Sequence, residues 1–231
     1  MIVAANFKTN KTRKETLQYL KILDGIDFSN VKVAVFPPST ALFERDYIGA
    51  QNAYPTLNGA FTGEIGLEQL NEFNIKKILI GHSERRHILG ESQEFIAQKF
   101  EFFKKEGFEI YYCIGEPLEI RKKGIDAVIE YLKSQFEDID LEYEKLIVAY
   151  EPVWAIGTGV SASIDEIRQT HAKIRKFISK PILYGGSVKP ENIKDIISIE
   201  NVDGVLVGSA SLDVNKFISM IETAKELKKE K

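Results

Sequence analysis

The sequence predicts an α/β fold in which eight short parallel strands alternate with helices, and two observations support this prediction. Eight short apolar runs rich in Val, Ile and Tyr recur along the 231 residues, and most are apolar at consecutive positions, as in strands covered on both faces. A turn and an amphipathic stretch separate most of these runs, which is the pattern of repeated βαβ units. The runs are residues 2–6, 31–36, 48–51, 78–80, 110–114, 146–150, 182–184 and 205–207.

Two architectures accommodate this pattern, a closed (β/α)₈ barrel and an open doubly wound sheet. The count of runs favours the barrel. The first run is not followed by G-x-G-x-x-G, which argues against a dinucleotide-binding sheet. The chain length suits one barrel, because such barrels run to about 200–250 residues as a single domain. No linker or low-complexity stretch divides the chain, so we expect one barrel domain over residues 1–231.

Helical periodicity predicts four longer helices between or after the runs. They cover residues 12–23, 91–106, 163–178 and 214–228, and their apolar residues recur at helical spacing. Ser163 followed by Glu166 has the spacing of a capping box, which predicts the start of the third of these helices.

Composition and charge narrow the class of function. The net charge is −3, so no electrostatic attraction to nucleic acid or to an acidic membrane is expected. The single cysteine, Cys113, cannot form an internal disulfide, which favours a reducing compartment. The first apolar run is too short for a secretory signal, and no run reaches the roughly 18–20 apolar residues of a spanning helix. We therefore expect a cytoplasmic protein.

The active site of a (β/α)₈ barrel lies at the carboxyl ends of its strands, so the residues that follow each run are the candidates. Glu151 directly follows a buried run, where partial desolvation would make its carboxylate a stronger base; the alternative is a surface glutamate. His82 begins a helical turn, whose N-terminus favours a neutral ring that can polarise a carbonyl; the alternative is a structural histidine. Lys8 brings positive charge for an anionic substrate, or is an ordinary surface lysine.

Glycine-containing turns follow the last two runs. Residues 185–187 read Gly-Gly-Ser and residues 208–209 read Gly-Ser, and barrels often bind phosphate at these turns through backbone N–H groups. The alternative is a pair of tight turns that need glycine. Residues 152–159 combine a proline, the only Trp of the chain and two glycines. That composition suits a lid over the site, although an ordinary long loop also fits.

Taken together, these segments resemble the triosephosphate isomerase family, and the resemblance extends over the whole chain. The most specific segments are AYEPVWAIGTG at residues 149–159 and GHSERR at residues 81–86. The other matching segments, in family order, are residues 6–10, 51–52, 59–64, 113–116, 184–188 and 207–212. The resemblance implies a TIM barrel that needs no cofactor and isomerises a triose phosphate, a step of glycolysis and gluconeogenesis.

The resemblance also implies roles for single residues. Glu151 is expected to be the base that moves a proton between adjacent carbons, and His82 the neutral electrophile that shuttles protons between the oxygens of an enediolate. Lys8, with Asn6 beside it, is expected to stabilise the substrate and the enediolate, and Glu84 to support His82. The expected phosphate cradle consists of backbone N–H groups of Gly157, Ser187, Gly208 and Ser209.

A homodimer is implied as well. The loop around Thr62 resembles the segment that inserts into a neighbouring subunit near its residues 6–8, with Glu64 and Arg85 as partners across that contact.

Some positions depart from the family pattern. The far end of the lid reads Val160-Ser161-Ala162, where the family often has Lys-Thr-Ala, and Ser209 stands where glycine is usual. Phe7 replaces a common Trp. The chain is also trimmed at residues 37–47 and 178–181, so the helices there should be short.

Two other classes of function are weighed against the isomerase. Another phosphate-binding barrel enzyme, such as an aldolase or a sugar-phosphate epimerase, would need a Schiff-base lysine at a strand end or a cluster of metal ligands. The histidines at positions 82, 87 and 171 lack H-x-H or H-E-x-x-H spacing, so no metal site is expected. A non-catalytic scaffold would have lost Glu151 or His82, and both are present. Cys113 is expected to be a small buried residue at a strand end.

Overall fold

The structure of the chain is a computed structural model that describes residues 1–156 and 161–229. Its strands are β1 (Ile2–Asn6), β2 (Lys32–Phe36), β3 (Lys77–Ile80), β4 (Glu109–Ile114), β5 (Leu146–Tyr150), β6 (Ile182–Tyr184) and β7 (Gly204–Val207). All neighbouring strands pair in parallel, in the order β2-β1-β7-β6-β5-β4-β3. Seven of the eight predicted runs are thus strands, and their ends shift by at most one residue.

Residues 48–50, in the predicted third run, close the wall of the barrel between β2 and β3. They do so through two isolated bridges, one to β2 at Ile48 and one to β3 at Ala50, and not through a regular strand. Gly49 N–H donates to Val35 O at 2.9 Å, so the backbone pairing itself is present. A Cβ on Gly49 would lie 2.3 Å from the Phe36 ring. Because glycine has no side chain, residue 49 leaves room for the ring. Glycine also weakens regular strand structure.

Helices surround the strands, as the alternating pattern predicts. They are α1 (Arg13–Leu23), α2 (Leu67–Asn71), α3 (Ser83–His87), α4 (Gln93–Lys105), α5 (Leu118–Arg121), α6 (Ile125–Ser134), α7 (Ile164–Ile174), α8 (Ile193–Ile197) and α9 (Val214–Lys229). The four predicted longer helices correspond to α1, α4, α7 and α9. No helix in the described ranges is both long and apolar enough to cross a membrane.

Helix ends follow local sequence signals. Ser163 caps α7 with the reciprocal bonds to Glu166 that the capping-box spacing predicts. The connection after β2 holds only a 3-10 turn (Ser39–Ala41), in line with the short helix expected there. α7 ends at Ile174, before the predicted limit at residue 178.

The apolar core has two layers. One fills the barrel interior with inward-facing strand residues, and the other packs the outward-facing strand residues against the helices. Phe36 and Tyr111 meet edge to face in the interior, with ring centroids 5.0 Å apart. Because side chains fill the interior, a ligand has access only to the ends of the barrel. The interior residues are Ile2, Ala4, Ala34, Phe36, Leu79, Tyr111, Cys113, Ile147, Ala149, Leu183 and Leu206.

A cluster around Arg175 lies at the amino ends of the strands. Its guanidinium donates to Lys180 O at 2.7 Å and to Ile178 O at 3.2 Å. It also pairs with the Asp203 carboxylate, which accepts the Ile182 N–H at 2.7 Å. This cluster ties α7 to β6 and β7 at the end of the barrel away from the predicted site.

Candidate active site

The two predicted proton-transfer residues are in direct contact at the carboxyl ends of β3 and β5. His82 caps α3, Glu151 follows β5, and both are buried. His82 Nε2 lies 3.0 Å from Glu151 Oε1. On the other side of the ring, Glu84 N–H donates to Nδ1 at 3.3 Å. Because Nδ1 accepts this bond, the ring proton of the neutral form is on Nε2 and faces Glu151.

Opposing effects determine the charge of His82. Burial is the largest single effect and lowers the pKa of His82, as does the charge of Lys8. The charge and hydrogen bond of Glu151, together with the charge of Glu84, outweigh them, so the pKa lies above its ordinary value. The prediction of a neutral ring rests on the helix N-terminus alone. It does not include the Glu151 carboxylate, which lies at Nε2 and raises the pKa of His82. A ligand that separates Glu151 from His82 would remove the largest of the raising effects and so favour the neutral ring.

Several backbone contacts hold Glu151. Ser83 N–H donates to Glu151 Oε2 at 3.2 Å, and Glu151 N–H donates to Ile114 O at 2.7 Å. Two glycines make room for the residue, because a Cβ on Gly185 would lie 2.8 Å from Glu151 Cγ and a Cβ on Gly115 would lie 1.8 Å from Glu151 O. Sequence reasoning interpreted the 185–187 turn as a phosphate-binding turn or as a tight turn that needs glycine. The structure shows that the missing side chain of Gly185 also admits the carboxylate.

Lys8 has a left-handed backbone, with φ 52°, which costs free energy in a residue other than glycine. Two bonds hold it there: Lys8 N–H donates to Asn6 Oδ1 at 2.9 Å, and Gln51 Nε2 donates to Lys8 O at 2.8 Å. Lys8 Nζ pairs with Glu84 Oε1 at 2.5 Å, and the other oxygen of Glu84 lies 3.6 Å from His82 Nδ1. One carboxylate thus brings the ammonium group and the imidazole to the same side of the site.

The predicted phosphate cradle lies partly within the described residues. Gly208 precedes a 3-10 turn (Ser209–Leu212), and the first N–H groups of a helical turn have no partner within the turn itself. A Cβ on Gly208 would be 3.8 Å from Lys8 Cε, so this turn adjoins the lysine. Ser187 is half-buried after β6, and Ser209 is exposed. Gly157 and the hinge residue Val160 lie outside the described residues.

A buried carboxylate anchors the start of the predicted lid. Glu116 Oε1 accepts Trp154 Nε1–H at 3.0 Å and the Tyr150 hydroxyl at 3.1 Å. Burial raises the pKa of Glu116, and these two donors oppose the rise. Sequence reasoning noted the motif around Glu116 but gave the residue no role. Its signal was available, because Glu116, like Glu151, is a carboxylate that follows a buried strand.

A cavity of about 610 Å³ opens beside Lys8. Two of the three predicted dimer-contact residues, Glu64 and Arg85, line it, and Thr62 is exposed on the adjoining loop. Arg85 pairs with Glu91 of the same chain at 2.6 Å. The space beside the site is therefore bounded by the residues expected to contact a second subunit.

The remaining candidates concern metals and the thiol. Among the residues that the structure describes, no three His, Cys, Asp or Glu side chains are grouped to hold a metal ion. Cys113 is fully buried on the inner face of β4, in agreement with its expected role as a small core residue. Burial raises the pKa of its thiol well above the ordinary value, and the charge of Glu151 adds to the rise.

Comparison with known proteins identifies the family. The family model described as triosephosphate isomerase matches residues 1–224. A triosephosphate isomerase from a Sulfurovum species is 63% identical over 227 residues, which cover 96% of this chain and 99% of that protein. The triosephosphate isomerase of a Nitratiruptor species is 56% identical over 232 residues, covering 99% of this chain and 100% of that protein. The chain therefore belongs to the triosephosphate isomerase family.

Proposed function

We propose that the chain interconverts D-glyceraldehyde 3-phosphate and dihydroxyacetone phosphate by a base-catalysed proton shift through an enediolate. The observation that carries this proposal is the buried contact of 3.0 Å between Glu151 and His82, beside the ammonium group of Lys8. A carboxylate, an imidazole and a cation are the groups that such a shift needs. The family membership supports the same reaction.

The steps follow from the chemistry of each group. Glu151 takes a proton from one carbon of the bound substrate and returns it to the adjacent carbon. Negative charge develops on the substrate oxygens, and His82 donates its Nε2 proton there and recovers a proton from the neighbouring oxygen. To reach the substrate carbon, the Glu151 carboxylate leaves His82 Nε2, which then faces the substrate oxygens. The bond from Ser83 N–H is then replaced by contact with the substrate carbon.

Electrostatic stabilisation is assigned to Lys8. Its ammonium group faces the enediolate oxygens, and Asn6 holds the Lys8 backbone in the conformation that points it there. Glu84 supports both Lys8 and His82 through its two oxygens. A preorganised charge of this kind acts most strongly where water is excluded.

The phosphate group is proposed to bind at the turns after β6 and β7. Backbone N–H groups of Ser187, Gly208 and Ser209 supply the donors there, with Gly157 as a further donor from the lid. Closure of the lid would keep the enediolate dry and suppress loss of its phosphate by elimination. The indole of Trp154, held by Glu116, gives the lid a rigid starting point.

We also propose a homodimer of chains that each form one domain over residues 1–231 and act in the cytoplasm. The cavity beside Lys8 would receive the Thr62 loop of a second copy, with Glu64 and Arg85 at the contact. Insertion of that loop would cover Lys8 and complete each site.

The test is the rate of triose phosphate interconversion in a coupled assay on the purified chain. We expect kcat/KM of roughly 10⁷ M⁻¹s⁻¹ or above, in the upper part of the enzyme range. The Glu151→Gln variant, purified in parallel from the same host, measures contaminating isomerase. A rate of the unsubstituted chain no greater than that of this control would refute the proposed function.

A further inference from the structure

The geometry points to Arg86 as a positioning residue that sets the contact between His82 and Glu151. Arg86 is half-buried in the last turn of α3, and its side-chain hydrogen bonds go to neither of these side chains. Its guanidinium bonds to the chain at the ends of β3 and β4. This inference rests on the proposed function, because its measure is the turnover of that reaction.

Arg86 holds the turn that carries His82. Gly81, directly before His82, has φ +75°, a conformation that few residues other than glycine adopt. Arg86 Nε donates to Gly81 O at 2.7 Å, and a Cβ on Gly81 would lie 2.7 Å from Arg86 Nη2. The arginine thus folds back over the start of its own short helix and holds the peptide that leads into His82.

Arg86 also bonds to the neighbouring strand β4. Arg86 Nη2 donates to Cys113 O at 3.2 Å and to the Tyr112 hydroxyl at 3.0 Å, both on β4. The Tyr112 hydroxyl donates in turn to Gln135 O. The side-chain amide of Gln135 bonds to both backbone groups of Gly115, at 2.8 Å and 3.1 Å.

Gly115 completes the connection, because its backbone packs against the backbone of Glu151 so closely that a Cβ there would lie 1.8 Å from Glu151 O. Polar contacts therefore run from the residue before His82 to Gly115, and backbone packing continues from Gly115 to Glu151. We call Arg86, Tyr112 and Gln135 the polar bracket.

The positive charge of Arg86 faces uncharged groups. Its partners in the described part of the chain are neutral: two backbone carbonyls, the Tyr112 hydroxyl and Gln93 Oε1 at 2.7 Å. No carboxylate of the described residues lies within 4.0 Å of the guanidinium. Arg86 is therefore not placed by an ion pair. Arg86 is distinguished by its planar fork, which reaches acceptors in the turn after β3, on β4 and on α4 at once and which lysine cannot reproduce.

The expected effect follows from the geometry that proton transfer needs. A misplacement of about 1 Å in a reacting group can cost roughly 10²-fold in rate. Arg86→Lys keeps the charge and loses the fork, so it should lower kcat by roughly 10- to 100-fold. KM should stay within about threefold, because Lys8 and the turns after β6 and β7 do not contact the polar bracket.

Arg175→Lys is the matched control. Arg175 also forks to backbone carbonyls, but at the amino ends of the strands. Its replacement should lower the melting temperature and leave kcat per folded chain within about twofold. A role of Arg86 in folding alone would give the same result for both variants.

A second readout is the ¹⁵N NMR signal of the His82 ring, assigned by its loss in His82→Gln. We expect Arg86→Lys to shift this signal and Arg175→Lys to leave it in place. If Arg86→Lys does not fold, Gln93→Met removes the acceptor of Nη1, together with the bonds from Gln93 Nε2 to the Tyr112 hydroxyl and to Glu137 O, and should lower kcat by about threefold or more. An unchanged kcat in the folded variant, or a loss equal to that of Arg175→Lys, would overturn the inference. Inactivity of the unsubstituted chain would instead refute the proposed function and the inference with it.

Discussion

Replacement of His171 by phenylalanine should remove much of the sensitivity of this fold to acid. His171 Nδ1 lies 3.1 Å from Asn201 O, so Nδ1 carries the proton of the neutral ring. Nε2 is buried with no hydrogen-bond partner among the described residues. The ring packs edge to face against Tyr150 with centroids 5.7 Å apart. A second proton at Nε2 would therefore be a buried charge without an acceptor.

The size of the effect can be worked out from the shift in pKa. Burial lowers the pKa of His171 from 6.5 to about 4 in the folded chain. Between these values the unfolded chain binds a proton at this residue and the folded chain does not, so the free energy of unfolding falls as the pH falls. The interval is about 2.5 pH units, each worth about 1.4 kcal/mol. The free energy of unfolding is thus lower by about 3 kcal/mol near pH 4 than above pH 6.5.

Urea unfolding of both chains at one protein concentration, in steps from about pH 7.5 to 4.5, measures this difference. At the upper pH the His171→Phe variant should be the less stable chain, because it lacks the bond to Asn201 O. Toward the lower pH its stability relative to the unsubstituted chain should rise by about 2–3 kcal/mol. In the His87→Phe variant, where the replaced histidine is exposed, the stability relative to the unsubstituted chain should change far less with pH. A gap for His171→Phe that is constant with pH would refute the reasoning.

Three further predictions concern the site and the dimer. Glu151→Gln keeps the shape of the side chain and removes the base, so turnover in the coupled assay should fall by roughly 10²–10⁴ with unchanged folding by circular dichroism; a near-normal rate would contradict the mechanism. Lys8→Met should raise KM and lower kcat together, because it removes the charge that faces substrate and enediolate; an effect on KM alone would limit Lys8 to binding. Thr62→Arg should shift the chain toward monomer in sedimentation and reduce activity in parallel. A fully active monomer would exclude a shared site.

Much of the fold could be predicted because its signals are local. Consecutive apolar residues mark strands covered on both faces, and the Ser163–Glu166 spacing marks a helix start, so these elements lie where the sequence places them. The exception is residues 48–50. There the absence of a side chain on Gly49 leaves room for the Phe36 ring, and two isolated bridges replace the strand. That outcome depends on a contact between two strands, which a single run of sequence does not contain.

The candidate site shows the same division. Glu151, His82 and Lys8 could be found because each follows an apolar run, and the structure brings them to one end of the barrel. Two features needed the structure. The Ser83 bond to Glu151 comes from a backbone N–H, which has no signature in residue type. The upward shift in the pKa of His82 comes from a carboxylate on another strand. The roles of the phosphate-binding turns and of Gly157 stay predictions.

The wall at residues 48–50 also has a consequence for the order in which the molecule comes apart. Two bridges resist separation less than a full ladder, so local opening and amide hydrogen exchange should begin at this seam, between β2 and β3. Gln51 directly follows these residues, and its side-chain amide donates hydrogen bonds to Lys8 O and Phe36 O, both at 2.8 Å. Opening the seam would release Lys8 from its strained backbone while the other strands remain paired. Loss of catalysis would then precede loss of the fold.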